Sequence, residues 1–235
     1  MKKIILFFLL SFHFAVGQSL NPLVQTELYQ DTLHSVKWYK SNAFRTVCMP
    51  ALLIGYGITT IGNHGFPFSS QEVQRWRQRN FPTFTTDADN YLPSSPLVIM
   101  FGLDLAGVKS NYNWVNQAII FWMSNALNGF ATRQLKHATA IERPDEADHL
   151  SFPSDHTSSA FVAAEMLHQE FRDKSAWISI GGYTIASSVA ALRIMNNRHW
   201  LSDVIAGAGV GILSVRLTYQ AYPLIRKKVF KKIME

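Results

Sequence analysis

Apolar residues run along the chain in long blocks at 47–62, 96–108, 113–131, 176–192 and 201–217, separated by polar connections. The blocks are too long for ordinary strands and none keeps a period of two, so each predicts a helix. A sixth helix is predicted over 157–171, where Glu165, His168 and Glu170 interrupt Phe161, Val162, Ala163, Ala164 and Leu167 in an amphipathic pattern. The expected fold is all-α, a bundle of about six core helices with its active site at helix ends and connecting loops. Gly207 and Gly211 fall four residues apart on one helical face, which permits close helix approach. A nucleotide-binding glycine loop needs a preceding strand, and none is predicted.

Composition sharpens this picture. Only 16% of the 235 residues are charged, against roughly 25% in an average soluble domain, which points to a membrane or a very apolar core. Met1-Lys2-Lys3, the apolar run 4–10 and Ala15-Val16-Gly17 have the form of a secretory signal ending at residue 17. The apolar run is short for a span of about 20 residues, so the expected organisation is a signal at 1–17 and a single helical domain at 18–235. Removing Lys2 and Lys3 lowers the net charge from +6 to +4, still basic and suited to a phosphorylated substrate or an anionic lipid surface. Cys48 is the only cysteine, which excludes an intrachain disulfide and a cysteine-rich metal site.

Three polar segments break the helical sequence: 136–144 (KHATAIERP), 152–157 (FPSDHT) and 193–203 (RIMNNRHWLSD). Each lies at a predicted helix end, where the loops of a bundle gather. Ser154 can open a helix whose free N–H groups face an anion. Phosphoryl transfer needs cations around the equatorial oxygens, a nucleophile in line and an acid for the leaving oxygen. Lys136, Arg143 and Arg193 can supply the cations, and His156 and His199 the acid and the nucleophile. Asp203, four residues after His199, can reach the ring's other nitrogen and hold its tautomer.

The spacing of these residues resembles the type 2 phosphatidic-acid phosphatase superfamily, which also contains bacterial class A acid phosphatases and vanadium haloperoxidases. Lys136, Arg143 and Pro144 match Lys-x6-Arg-Pro; Pro153, Ser154 and His156 match Pro-Ser-Gly-His; Arg193, His199 and Asp203 match Ser-Arg-x5-His-x3-Asp. The likeness covers about 113–217. It implies a metal-independent phosphatase without cofactor, in which His199 becomes a phosphohistidine, Asp203 orients it, and His156 serves as acid and then base. It also implies that Lys136, Arg143, Arg193 and Ser154 bind the phosphate, together with the backbone at Asp155.

Asp155 stands where the family has glycine, so its carboxylate must point away from the substrate or repel it. Leu192 replaces the serine before Arg193 and removes one donor, a loss of about 1–3 kcal/mol. The connection from Pro144 to Pro153 is shorter than the family usually shows, which leaves the site open to a bulky headgroup. The resemblance therefore implies hydrolysis of a phosphomonoester or pyrophosphate on a membrane lipid: phosphatidic acid, phosphatidylglycerol phosphate, undecaprenyl pyrophosphate or lipid A. The alternatives are a soluble exported acid phosphatase, a vanadium-dependent haloperoxidase and a non-catalytic lipid-binding relic. Membrane members carry the site on the periplasmic side, which asks for an even number of crossings before Lys136 when the signal is cleaved; three blocks, 47–62, 96–108 and 113–131, compete for them.

Overall fold

The computed structural model of the chain describes residues 41–234. The signal expected at 1–17 lies outside the described residues. Helices follow in the order α1 (Asn42–Thr59), α2 (Ser70–Asn80), the single turn α3 (Ala88–Tyr91), a 3-10 turn (Leu92–Ser94), α4 (Ser95–Leu105), α5 (Trp114–Thr139), α6 (Asp155–Phe171), α7 (Ala176–Met195) and α8 (Leu201–Met234). No strand occurs among the described residues. The all-α expectation holds, and all six predicted helices are present.

Side-chain caps start these helices by satisfying free backbone N–H groups. Asn113 accepts from the Asn116 N–H at 3.0 Å to open α5, and Ser154 accepts from Thr157 to open α6. At the other end of α5, Ala140 turns left-handed at φ 46 while its N–H still bonds the Lys136 carbonyl. This turn swings the chain into the 140–153 connection and leaves Lys136 in the last helical turn.

The amphipathic α6 is the centre of the bundle. Its Val162, Met166, Leu167 and Phe171 join Met100, Ile120, Val215 and Tyr222 in one fully buried cluster, while Ala160 and Ala164 pack with Tyr183, Ala186, Val189 and Ile212. Glu165 is buried but satisfied, accepting from Arg216 Nε at 3.0 Å, from Gln169 and from the Tyr183 hydroxyl. Since buried charge is tolerated only when paired and hydrogen-bonded, this knot fixes α6, α7 and α8 in one register. A Cβ on Gly207 would sit 2.8 Å from the Ser154 carbonyl, and one on Gly211 would strike Ser158. The two glycines thus let α8 approach the start of α6, which sets the two halves of the site side by side.

Two elements differ from expectation. Helix α4 has only 11 residues, a rise of about 16 Å against ~30 Å of bilayer core; among the described residues the helices long and apolar enough to cross a membrane are α7 and α8, not those of the three competing blocks. Helix α2 was not predicted, because its sequence SQEVQRWRQRN is almost wholly polar. A capping box between Ser69 and Glu72 starts it, and its buried face consists of Ser70, Val73, Gln74 and Arg77. Arg77 is held by the carbonyls of Met195 at 2.9 Å, Phe84 at 3.3 Å and Pro82 at 3.4 Å. Apart from Val73, which packs with Ala190, Ile194, Leu201 and Val204, hydrogen bonds seat this helix, and a hydropathy pattern does not register them.

Candidate functional site

The three polar segments meet at one end of the bundle. The Ser154 N–H donates to the Asp203 carbonyl at 3.0 Å, and Arg143 Nη1 donates to the Arg198 carbonyl at 3.2 Å. Lys136 comes from the last turn of α5, Ser154 to His156 from the start of α6, Arg193 from the end of α7, and His199 and Asp203 from the turn into α8.

His199 is 2% exposed and Asp203 is fully buried. Asp203 Oδ2 lies 3.2 Å from His199 Nδ1 and also accepts from the Trp200 N–H at 2.9 Å and from the Ser151 hydroxyl. An ionised carboxylate only accepts hydrogen bonds, so Nδ1 carries the ring proton and the lone pair of the neutral ring sits on Nε2. Arg143 Nη1 approaches that lone pair at 3.0 Å. Burial drives the imidazole pKa down to about 4, further than the Asp203 bond and charge lift it, and Arg143 and Arg193 push the same way as burial. The ring is therefore a neutral base near pH 7, with its reactive nitrogen directed at a guanidinium.

Each of the three cations carries a carboxylate. Lys136 Nζ lies 3.4 Å from Asp155 Oδ2 and donates to the Leu150 carbonyl at 2.5 Å. Arg143 Nε donates to Asp148 Oδ1 at 2.8 Å, and Arg193 Nη1 to Asp89 Oδ2 at 2.8 Å. Burial pushes the Lys136 ammonium below its ordinary value, only partly offset by Asp155. Burial alone would raise the Asp89 carboxyl, but the hydrogen bonds of Arg193 and Asn196 and the Arg193 charge outweigh it and hold it low. Arg193 Nε is buried without an acceptor among the described residues. An unfilled buried donor of this kind is costly, and a bound anion would fill it.

His156 is half-buried in the first turn of α6. Burial lowers its pKa, with Arg193 acting in the same sense and Asp89 and Asp155 opposing. Ser154 Oγ caps α6, accepting from the Thr157 hydroxyl at 3.1 Å and its N–H at 3.4 Å, which leaves the serine's own hydrogen free to donate. The Asp155 side chain is 56% exposed and turned to Lys136. Leu192 lies one residue before Arg193 in α7, where it offers no polar atom.

Four contributors were not read from the sequence: Ser151, Asp148, Asp89 and the Trp200 N–H. Ser151 and Asp148 lie inside the 144–153 connection, where the polar residues flanking Phe152-Pro153 were a usable signal. Asp89 had none. It sits in α3, 104 positions from Arg193, and only the fold brings the two together. The same segment is pinned over the site by Asn196, whose side chain accepts from the Thr86 N–H at 2.9 Å and donates to the Thr86 carbonyl at 2.8 Å.

Residues 114–227 match the family model of the PAP2 superfamily, over the stretch that carries every motif residue of this site. This segment of the chain belongs to the PAP2 superfamily. A relative of the PAP2 segment is the lipid A 1-phosphatase of Porphyromonas gingivalis (strain ATCC 33277), 38% identical over 144 residues, which are 61% of this chain and 32% of the relative. The chain thus spans about a third of that relative's length. Among solved structures, Aquifex aeolicus LpxE aligns over 62% of this chain and 93% of its own, at 17% identity and a TM-score of 0.47.

Proposed function

We propose that the chain is a metal-independent phosphatase that hydrolyses a phosphomonoester or pyrophosphate carried by a membrane lipid. The observation that carries this reading is the neutral His199 ring, fixed by Asp203 and presenting Nε2 to Arg143. A substrate phosphate takes over the Arg143 contact and fills the open Arg193 Nε, so its phosphorus meets the freed lone pair. His199 Nε2 forms the N–P bond as the P–O bond to the lipid breaks, and that electron pair leaves on the lipid oxygen, which His156 protonates. His156 then takes a proton from water as its oxygen attacks phosphorus; the N–P bond breaks and inorganic phosphate departs. Lys136, Arg143, Arg193 and the Ser154 hydroxyl stabilise the charge on the equatorial oxygens. The backbone at Asp155 opens the anion-facing helix end.

Several features favour a lipid as the carrier. The 38% identical relative is named for its action on lipid A, so a lipid A phosphate is the first substrate to test. Helices α7 and α8 are long and apolar enough to cross a bilayer. Trp122 (75% exposed), Phe130 (65%) and Trp114 (71%) on α5, and Leu105 (90%) and Val98 (68%) on α4, form outward apolar faces of the kind an interaction surface carries. A membrane enzyme whose site opens to the periplasm fits these features.

The test is phosphate release by purified protein, with chelator present, from lipid A, phosphatidic acid, phosphatidylglycerol phosphate, undecaprenyl pyrophosphate and a soluble phosphomonoester. Turnover of at least one lipid, abolished by His199→Ala, is the expected result. Activity confined to the soluble ester would overturn the lipid assignment, and complete loss on chelation would overturn the metal-independent mechanism.

A further inference from the structure

The two faces of α2 use their arginines differently. On the inner face Arg77 is consumed by three backbone carbonyls. On the outer face Glu72, Arg75, Trp76, Arg79 and Asn80 line an open groove of about 310 Å³. Arg75 has only a long contact to Asn63 Oδ1 at 3.5 Å, and no carboxylate lies within ion-pair distance of Arg75 or Arg79 among the described residues. Glu72, the one acid of the helix, is occupied with the Ser69 N–H and hydroxyl. Beyond the Asn63 contact and the pull of the Arg75 charge on Glu72, neither arginine makes an ion pair among the described residues, whereas every cation at the phosphate site is paired.

Aromatic rings lie beside them. Trp76 packs on Phe81 with centroids 5.5 Å apart; Phe81 is 42% exposed, and Phe66, just before the helix, is 89% exposed. Unpaired arginines with exposed aromatic rings are the composition of a surface that rests among lipid headgroups, guanidinium on phosphate and ring at the polar–apolar boundary. Nucleic acid or an acidic protein would match the charge but not the exposed rings of Phe66 and Phe81 beside it, nor the apolar side chains that α4 and α5 of the same molecule expose. The groove is also tied to the site, since Gln74 on the inner face hydrogen-bonds Asn197, two residues before His199.

We propose that the outer face of α2, through Arg75, Arg79 and Trp76, docks on the phosphate headgroups of anionic bilayer lipids and so seats the mouth of the site at the membrane surface. This rests on the reading of the chain as a lipid phosphatase. Its test compares wild type with an Arg75→Gln/Arg79→Gln variant on lipid substrate in neutral phosphatidylcholine carrier, on the same substrate with phosphatidylglycerol added, and on a soluble phosphomonoester. In wild type the anionic carrier lowers KM for the lipid about tenfold, and salt reverses the effect. The variant loses that response while its kcat/KM on the soluble ester stays unchanged. An anionic-lipid response retained in the variant would overturn the proposal, and so would equal losses on both substrates. A wild type that turns over only the soluble ester would sink the lipid-phosphatase reading; docking is then read separately from tryptophan quenching by brominated phosphatidylglycerol. Trp76→Phe should remove part of that quenching, and an unchanged signal would overturn the docking surface by itself.

Discussion

The floor of the site and its cap are built on different terms. The floor comprises Lys136, Arg143, Ser154, His156, Arg193, His199 and Asp203, all within the PAP2 segment; Arg143 comes from the 140–153 connection and the others from helix ends and the turn into α8. The cap, from Asn63 through Tyr91, has little apolar core and is fastened by hydrogen bonds: Arg77 to three carbonyls, Asn196 to Thr86 and Asp89 to Arg193. In the proposed mechanism the floor supplies the reacting groups. The cap supplies a counter-charge to Arg193 and packs against the end of α7. Damage to the floor should therefore remove chemistry and leave the fold, whereas damage to the cap should weaken both.

The sharpest test of that division is His199→Ala. It removes the proposed nucleophile from a site whose packing rests on α6 and α8, and kcat should fall by about 10⁴-fold or more while the protein remains folded by far-ultraviolet circular dichroism. Asp203→Asn should cost roughly 10³-fold, because an amide can present its NH2 to Nδ1 and favour the wrong tautomer. If Asp203→Asn retained wild-type kcat, the orienting role drawn from the 3.2 Å contact would be wrong.

Next in size is Asp89→Ala, which strikes the cap at its one contact with a floor cation. It strands Arg193 as an unpaired charge in a site where only 8% of that residue is exposed. Breaking a buried pair of this kind costs about 3–5 kcal/mol, and kcat/KM should fall about 100-fold as the guanidinium loses its orientation. Denaturant unfolding and kinetics on one preparation separate the two effects. Loss of stability with unchanged kcat/KM would show that the cap only covers the floor.

The difference between the regions is also the difference between what the sequence discloses and what it conceals. Motif spacing holds His199 and Asp203 one helical turn apart and Lys136 seven residues before Arg143, and local geometry does the rest; every floor residue was legible for that reason. Helix existence was legible from long apolar blocks, but α5 and α8 run beyond the apolar parts of their sequence, because good helix formers such as Arg133 and Lys136 continue them after hydrophobicity stops. The cap was not legible. Its helix is polar, its buried Arg77, Gln74 and Ser70 meet Met195, Asn197 and Ser202 far along the sequence, and Asp89 meets Arg193 only through the tertiary fold. The pairing of every floor cation with a carboxylate was hidden likewise, since two of the three acids, Asp89 and Asp148, belong to no motif.

The two histidines differ in a way that pH exposes. His199 must be neutral to attack, and burial takes its pKa from 6.5 down to about 4, so its reactive form persists until the pH falls to that region. His156 must be protonated to release the leaving oxygen, and burial lowers its pKa below 6.5, so its working form is lost as pH rises toward neutrality. For the free enzyme kcat/KM should form a bell confined to acidic pH. The residual activity of His156→Ala should lack the alkaline limb, which separates the histidine from ionisation of the substrate phosphate. An alkaline limb above pH 7 that survives this substitution would exclude His156 as the acid.

The smallest effect concerns Asp155, the residue that occupies the glycine position of the PAP2 motif. Its carboxylate is turned to Lys136 at 3.4 Å, so it competes with substrate for the same ammonium. The competition is weak: the carboxylate is 56% exposed, and ion pairs in such screening are worth about 0–1 kcal/mol. Asp155→Gly should lower KM by up to about fivefold with kcat unchanged, an effect that shrinks as salt screens the original pair. The cap cannot supply the missing counter-charge, because Asp89 is committed to Arg193. A fall in kcat on Asp155→Gly would mean that the carboxylate helps hold Lys136 for the reaction, and the pair would then join the floor as a working part.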